Sequence, residues 1–251
     1  MIAAGAASTA ALDCREQAFE TGIAGLPVAK LTLPDNDDGI APALADLQQS
    51  WREQGMWLVS CRVPADRKVI IQELENIDFS AIETLITFYQ KTRPARDLVA
   101  ETGLARTHEI DACVDLALGA FTYDRLHRDK RVPDRIADAI RAAWVRNDIA
   151  GRAAAPLVAR IDDRVAGFNL CLKTGRTAVI DLIAVASDFR RRGLAGQMIE
   201  AAFHHFGGTI DGIRVGTQED NTASIKLYES AGFEVETRQV TLHWVNPEVT
   251  P

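Results

Sequence analysis

The stretch Ile180-Asp181-Leu182-Ile183-Ala184-Val185-Ala186-Ser187-Asp188-Phe189-Arg190-Arg191-Arg192-Gly193-Leu194-Ala195-Gly196 decides how this chain folds. It opens as a short, nearly continuous apolar run, the pattern of a buried strand. It closes on residues that continue at helical spacing to Phe206. Three arginines stand between. A helix N-terminus is the positive end of the helix dipole and favours acids over bases. Arg190, Arg191 and Arg192 are therefore misplaced unless they face an anion. Gly193 and the small Ala195 let a ligand approach the unpaired N–H groups of the helix start. The arginines add charge-assisted hydrogen bonds. The combination suits a pyrophosphate; a solvated basic patch is the plainer reading of the same residues.

Downstream, a turn at Gly207-Gly208 precedes a strand over 212–217. A helix over 221–231 breaks at Gly232, and an alternating run follows over 235–244. Upstream, 111–126 has helical spacing, with Val114, Leu116, Leu118 and Phe121 prominent. A second helix runs from about Pro133, a residue suited to a first helical turn, to Arg146. Strand runs 157–161 and 165–172 meet at the turn Asp162-Asp163. The order α, α, β, β, β, α, β, α, β predicts an α/β fold of the α+β kind, a mixed sheet with helices on both faces.

The first part of the chain is a faint copy of the last. A strand run over 26–33 leads to a loop ending in Asp38-Gly39. A helix reaches Glu53 and stops at Gly55; a strand over 57–63, a helix over 67–76, Phe79 and an alternating run over 82–89 complete the unit. Gly39-Ile40-Ala41 matches Gly193-Leu194-Ala195, and Phe79 matches Phe233. Duplication is the preferred reading over chance similarity. The polar, Pro-bearing joint Lys91-Thr92-Arg93-Pro94 places a degenerate half-domain at 1–92 and a complete domain at 93–251.

The 251 residues can bury a core without disulfide or metal staples. At 47% hydrophobic and 25% charged, the composition excludes disorder as the main state. A net charge of −7 argues against a nucleic-acid partner. Cys14, Cys61, Cys113 and Cys171 form no CxxC pair and read as free thiols of a reducing compartment. Residues 1–12 lack the basic and apolar regions of a signal peptide and read as a frayed tail, and no apolar run is long enough to span a bilayer. The expected location is the cytoplasm, with no membrane partner. Gly167–Thr174 has Leu172 where a phosphate-binding P-loop needs glycine, and neither GxSxG nor a strand-borne GxGxxG occurs. His204 and His205 are adjacent on a helix and cannot share an ion, so no metal is expected.

Arg190-x-x-Gly193-x-Ala195 resembles the acetyl-CoA signature of the GNAT N-acetyltransferase superfamily. Asn221-Thr222-Ala223-Ser224-Ile225-Lys226-Leu227-Tyr228-Glu229-Ser230-Ala231-Gly232-Phe233 resembles that superfamily's second motif. Together they cover about 95–246. A narrower resemblance rests on 14–19, Phe79, 83–88, Phe121-x-x-x-Arg125-Leu126-His127-x-Asp129, 135–146 and 215–218. It is to the dTDP-fucosamine acetyltransferases of surface-polysaccharide synthesis, which acetylate the 4-amino group of a nucleotide-linked dideoxy sugar. Those enzymes carry a partial GNAT-like N-terminal domain, in line with the internal copy. Here Glu20-Thr21-Gly22 interrupts the usual aromatic-glycine stretch, and Asp78 replaces the usual glycine before Phe79.

The resemblance implies a GNAT fold preceded by a partial GNAT-like half-domain, with acetyl-CoA as co-substrate. The backbones of Ile183, Ala184 and Val185 would take the pantetheine arm and thioester, and Arg190 through Gly196, including Leu194, the pyrophosphate. Asn221 would add a contact to CoA, although a plain helix N-cap also explains it. Tyr228 would protonate the leaving thiolate; its packing alternative is a core aromatic. Asp181 is a weak candidate base, weighed against a structural ion pair. Arg125 and His127 border the acceptor cleft, with Arg125 a nucleotide-phosphate contact or a surface ion pair. The expected acceptor is a small molecule, a nucleotide-linked amino sugar; a homodimer is left open. Acetylation of another amine (a protein N-terminus, an amino acid, a small amine) and non-catalytic acyl-CoA binding are the alternatives.

Overall fold

The computed structural model describes residues 12–36, 39–98, 100–121 and 123–251; the expected tail up to residue 11 and the loop acids Asp37 and Asp38 lie outside them. In order, the chain forms β1 (Asp13–Glu16), α1 (Ala18–Ala24), β2 (Val28–Thr32), α2 (Ile40–Glu53), β3 (Leu58–Pro64), α3 (Lys68–Asn76) and β4 (Ser80–Lys91). Then come β5 (Glu101–Leu104), α4 (Ile110–Ala120), the single-turn α5 (Arg125–Arg128), α6 (Asp134–Asn147), β6 (Ala155–Ile161) and β7 (Arg164–Thr174). The chain ends with β8 (Thr177–Val185), α7 (Leu194–Phe206), β9 (Gly212–Gln218), α8 (Thr222–Ala231) and β10 (Glu234–Val245).

Two compact units result. The first comprises the chain up to Thr84 with Asp129–Val132 and Gln239–Pro251; the second comprises Leu85–Arg128 and Pro133–Arg238. This differs from a single cut at 92/93, and hydrogen bonding gives the reason. The late part of β10 pairs with β3, Gln239 opposite Pro64 through Val245 opposite Leu58, so the C-terminal strand finishes the first unit's sheet. The late part of β4 pairs with β9 in the second. The insert at 129–132 is held by Asp129, buried at 3% exposure, which accepts from Arg131 Nε at 2.8 Å and from His243 Nδ1 at 3.0 Å. Burial opposes that charge, but His243 and Arg131 hold the carboxyl well below its usual range.

In the first unit the strands run β1–β2–β3–β10, with β2 and β3 parallel. Leu31, Leu44, Val59, Leu74 and Leu242 pack there around Trp51, Trp244 and Phe79. In the second the order is β4–β9–β8–β7–β6–β5, with β8 and β9 parallel. Helices α4 and α6 pack with Phe168, Leu170, Leu182 and Ala184. Helices α7 and α8 pack with Ala178, Ile180 and Ile213.

The segments matched in sequence share backbone geometry at two turns. Gly39 (φ 70°, ψ 15°) opens α2 and Gly193 (φ 76°, ψ 1°) opens α7, both left-handed and neither with a side-chain cap. Asp78 (φ 66°) precedes buried Phe79 as Gly232 (φ 94°) precedes buried Phe233. Asp162 and Asp163 make the expected hairpin turn without glycine, both at positive φ. The expected helix over 111–126 is instead two, because the chain leaves helical geometry at Phe121. Pro133 is an N-cap rather than a first helical residue. Strands β1 and β5 and helix α1 had no periodic signal: four residues each in the strands, and a glycine inside the helix.

Candidate active site

The site begins with a slip in register. Strand β7 pairs Leu170 with Leu182 but Cys171 with Ile180, so Asp181 is the extra residue of a β-bulge. A bulge interrupts the period of two. Ala178 and Ile180 therefore join the α7/α8 side, while Leu182 and Ala184 join the α4/α6 side. The same place ends a second ladder. Pairing of β8 with β9 runs from Thr177–Gly212 to Ile180–Val215 and stops. Beyond it β8 keeps only β7. Ala186 N–H bonds to Ala166 O of that neighbouring strand at 2.9 Å, so by alternation the backbones of Ile183 and Val185 face the other, opened side.

The loop after β8 makes one turn of 3-10 helix at Ser187–Phe189 and reaches α7 through two left-handed residues, Arg191 (φ 59°) and Gly193. Arg190, Arg191 and Arg192 precede the helix rather than lie in it, and all three are exposed. Arg190 Nε donates to Val185 O at 3.1 Å, and the Arg192 guanidinium lies 5.5 Å from the Phe189 ring centroid. Among the described residues no carboxylate pairs with them. The N–H groups of Leu194, Ala195 and Gly196 open α7 with no side chain capping them. A Cβ placed on Gly193 or Gly196 would meet nothing within 4 Å, so space lies over this helix start. Uncapped donors, unpaired cations and free space together fit a bound pyrophosphate. Beside the loop, a cleft of about 590 Å³ is lined by α4 (Ala112, Asp115), the hairpin residue Arg164 and the loop residues Ser187 and Arg190.

Asn221 caps α8: its Oδ1 accepts from Ser224 N at 3.2 Å. Tyr228, 2% exposed, packs with Phe88 and Phe233 at ring-centroid separations of 5.7 and 5.9 Å. Burial raises its phenol well above the usual value, and a hydrogen bond with Ser224 offsets part of that. Tyr228 is thus packed in an aromatic cluster, with Ser224 as the polar partner of its hydroxyl.

Arg125 and His127 sit on α5, whose start is capped by Asp124 Oδ1 through Leu126 N at 2.9 Å. His127 Nδ1 lies 2.7 Å from Asp124 Oδ2, and Nε2 lies 3.0 Å from Asp138 Oδ1. With both ring nitrogens on carboxylates, His127 orders this turn instead of offering a ring to an acceptor. Arg125 is half-buried.

Asp181 pairs with Arg152 Nη1 at 2.9 Å, the ion-pair alternative. The same guanidinium binds Asp148, a fully buried acid that the sequence reading missed. Its signal was available: an acid just past the end of α6 opposes the negative end of that helix, as the arginines oppose the positive end of α7. Among the described residues no group of three or more His, Cys, Asp or Glu is placed to hold a metal ion. No helix there is long and apolar enough to cross a membrane.

Residues 112–233 match the family described as Acetyltransferase (GNAT). The spore coat polysaccharide biosynthesis protein SpsD of Bacillus subtilis (strain 168) is 31% identical over 171 residues, 64% of this chain, and the match spans 55% of that protein's length. A GCN5-related N-acetyltransferase from Sphaerobacter thermophilus superposes with a TM-score of 0.63 at 15% identity, covering 96% of this chain and 78% of the other. A tandem GNAT protein from the clavulanic acid biosynthesis pathway gives 0.59 at 16% identity, covering 90% and 77%. At such identities the two structures speak to fold alone.

Proposed function

We propose, from the match of residues 112–233 to the acetyltransferase (GNAT) family, that the chain is an acetyltransferase of that kind and transfers acetyl from acetyl-CoA to the amino group of a nucleotide-linked amino-dideoxy sugar. One observation carries the reading: β8 parts from β9 at Ile180, and the opened edge leads directly to an uncapped helix start flanked by three arginines without acidic partners. Resemblance to a polysaccharide biosynthesis protein supports a sugar acceptor.

The roles follow from position. Leu194, Ala195 and Gly196 N–H groups and Arg190–Arg192 hold the pyrophosphate. The Ile183 and Val185 backbones, on the open side of β8, hold the pantetheine amides, and a backbone N–H there stabilises the oxyanion that forms as the amine attacks the thioester carbonyl. Asn221 orients α8 and lies beside the CoA path. Tyr228, through Ser224, supplies the proton to the departing sulfur. Arg125 contacts the acceptor's phosphate, with its turn fixed by His127.

The test is a thiol-release screen with acetyl-CoA against nucleotide-linked amino sugars, dTDP-4-amino-4,6-dideoxygalactose included, beside amino acids, N-terminal peptides and simple amines. Turnover with an amino sugar at least tenfold above the other amines is expected. Preference for another amine would redirect the substrate class. Tight acetyl-CoA binding without turnover on any amine would leave a binding protein.

A further inference from the structure

An amine attacks a thioester only when neutral, and an aliphatic amine is mostly protonated at neutral pH. A proton must therefore leave before acetyl transfer. Three charged groups meet where β8 leaves β9. Asp181 occupies the bulge, its side chain 30% exposed, with Arg152 Nη1 at 2.9 Å. That nitrogen also binds Asp148 Oδ1. Asp148 is fully buried in a short π-helical segment, Asp148–Arg152, that follows α6. Its other oxygen, Oδ2, is buried and has no hydrogen-bond partner among the described residues, and the two acids are brought together by contacting the same nitrogen, Arg152 Nη1. Two carboxylates held on one nitrogen repel each other, and a proton on one of them relieves that repulsion. Burial, then the charge of Asp181, push Asp148 up to about 6, against the pull of Arg152. Cys171 on β7 also faces both acids, and burial keeps its thiol neutral. A simple ion pair needs one acid per arginine; here two acids share one.

We propose that Asp148 and Asp181 work as one proton-accepting pair, Asp181 taking the proton from the acceptor ammonium at the opened edge of β8 and Asp148 storing it. The idea presupposes the acetyltransferase reading. In the step, an N–H bond of R–NH3+ breaks and an O–H bond forms on the doubly ionised pair. The freed lone pair forms the C–N bond, the C–S bond breaks, sulfur takes the proton passed from Tyr228 through Ser224, and the second amine proton replaces it on the tyrosine. The pair then returns its proton to water. Asp181 meets the substrate; Asp148 is a positioning residue.

Asp148→Asn and Asp181→Asn separate this from a structural role. Wild-type kcat/KM for dTDP-4-amino-4,6-dideoxygalactose should fall on the acid side with a break near pH 6, because the ionised pair and the ammonium are the reacting forms. Each variant should need amine already neutral in solution. Its loss should be ten- to hundredfold at pH 7, shrink to within threefold above the amine's own pKa, and leave acetyl-CoA Kd within twofold. Infrared difference spectra should show a protonated carboxyl band that disappears through about pH 6 in wild type and is missing in Asp148→Asn. A loss equal at every pH, or no such band, overturns the proposal. Asp181→Asn, at a partly exposed position, guards against misfolding of the buried variant. Wild-type protein that binds no acetyl-CoA would sink the acetyltransferase reading instead, and the infrared band would still decide whether the carboxyls share a proton.

Discussion

At the scale of single residues, charge out of place was the most readable signal. Arg192 next to a helix N-terminus had a reason only if an anion sat there, and the structure leaves it without an acidic partner, over Phe189. Arg192→Glu should raise the KM for acetyl-CoA about tenfold or more, since a charge-assisted hydrogen bond contributes ~1.5–3 kcal/mol and 1.4 kcal/mol is a factor of ten. Circular dichroism should stay native; an unchanged KM would remove the loop from pyrophosphate binding. Tyr228 was legible as a residue but not in its surroundings, because a helical spacing of 224, 228 and 231 serves a core and a catalytic face equally. Tyr228→Phe keeps the rings of Phe88 and Phe233 in contact. If the hydroxyl acts through Ser224, kcat should fall at least tenfold with acetyl-CoA binding intact; a rate within about threefold of wild type assigns the tyrosine to packing alone. Asp148 was missed because its partner lies on a distant strand. Its raised pKa favours the protonated form in the fold. That stability is fully present below the unfolded value of about 3.9 and is lost as pH rises through about 6. The difference in Tm between wild type and Asp148→Asn should therefore drift against wild type from pH 4 to 7.

Elements with strong periodicity came through the sequence reading with shifts of a residue or two, as for β3, β8, α7 and α8. The exceptions share a cause: information carried by hydrogen bonds instead of side-chain pattern. The bulge at Asp181 and the end of the β8–β9 ladder cannot be seen in an apolar run, because every residue from Ile180 to Val185 except Asp181 looks equally buried. The two left-handed glycine caps offer a paired experiment. Gly193→Ala and Gly39→Ala each force an alanine to positive φ with no steric contact to blame. Each should cost roughly 1–2 kcal/mol of stability by chemical denaturation. Only Gly193→Ala should also weaken acetyl-CoA binding, by several-fold. Equal effects on binding from both would mean that the first unit shares the ligand.

For the whole molecule, the sequence similarity between the two parts predicts two similar units, and each part has a helix opened by a left-handed glycine and a parallel strand pair. What a linear reading could not supply was the division, since β4 starts in one unit and ends in the other, and β10 does the reverse. A single boundary at a proline-bearing joint assumes that units are contiguous in sequence. The copies also differ where function would need them to agree. In the first unit, β2 spans Val28–Thr32 and its ladder with β3 runs from Val28 to Leu31, so no split opens there. Its loop before Gly39 carries Asn36, Asp37 and Asp38 in sequence where the second unit carries Arg190, Arg191 and Arg192. The central claim is that one split strand pair with one basic helix start makes the acyl-CoA site. Isothermal titration calorimetry of the intact chain with acetyl-CoA tests it most directly. One site per chain is expected, abolished or weakened at least tenfold by Arg192→Glu. Two equal sites, or a single site whose affinity ignores Arg192→Glu, would contradict it.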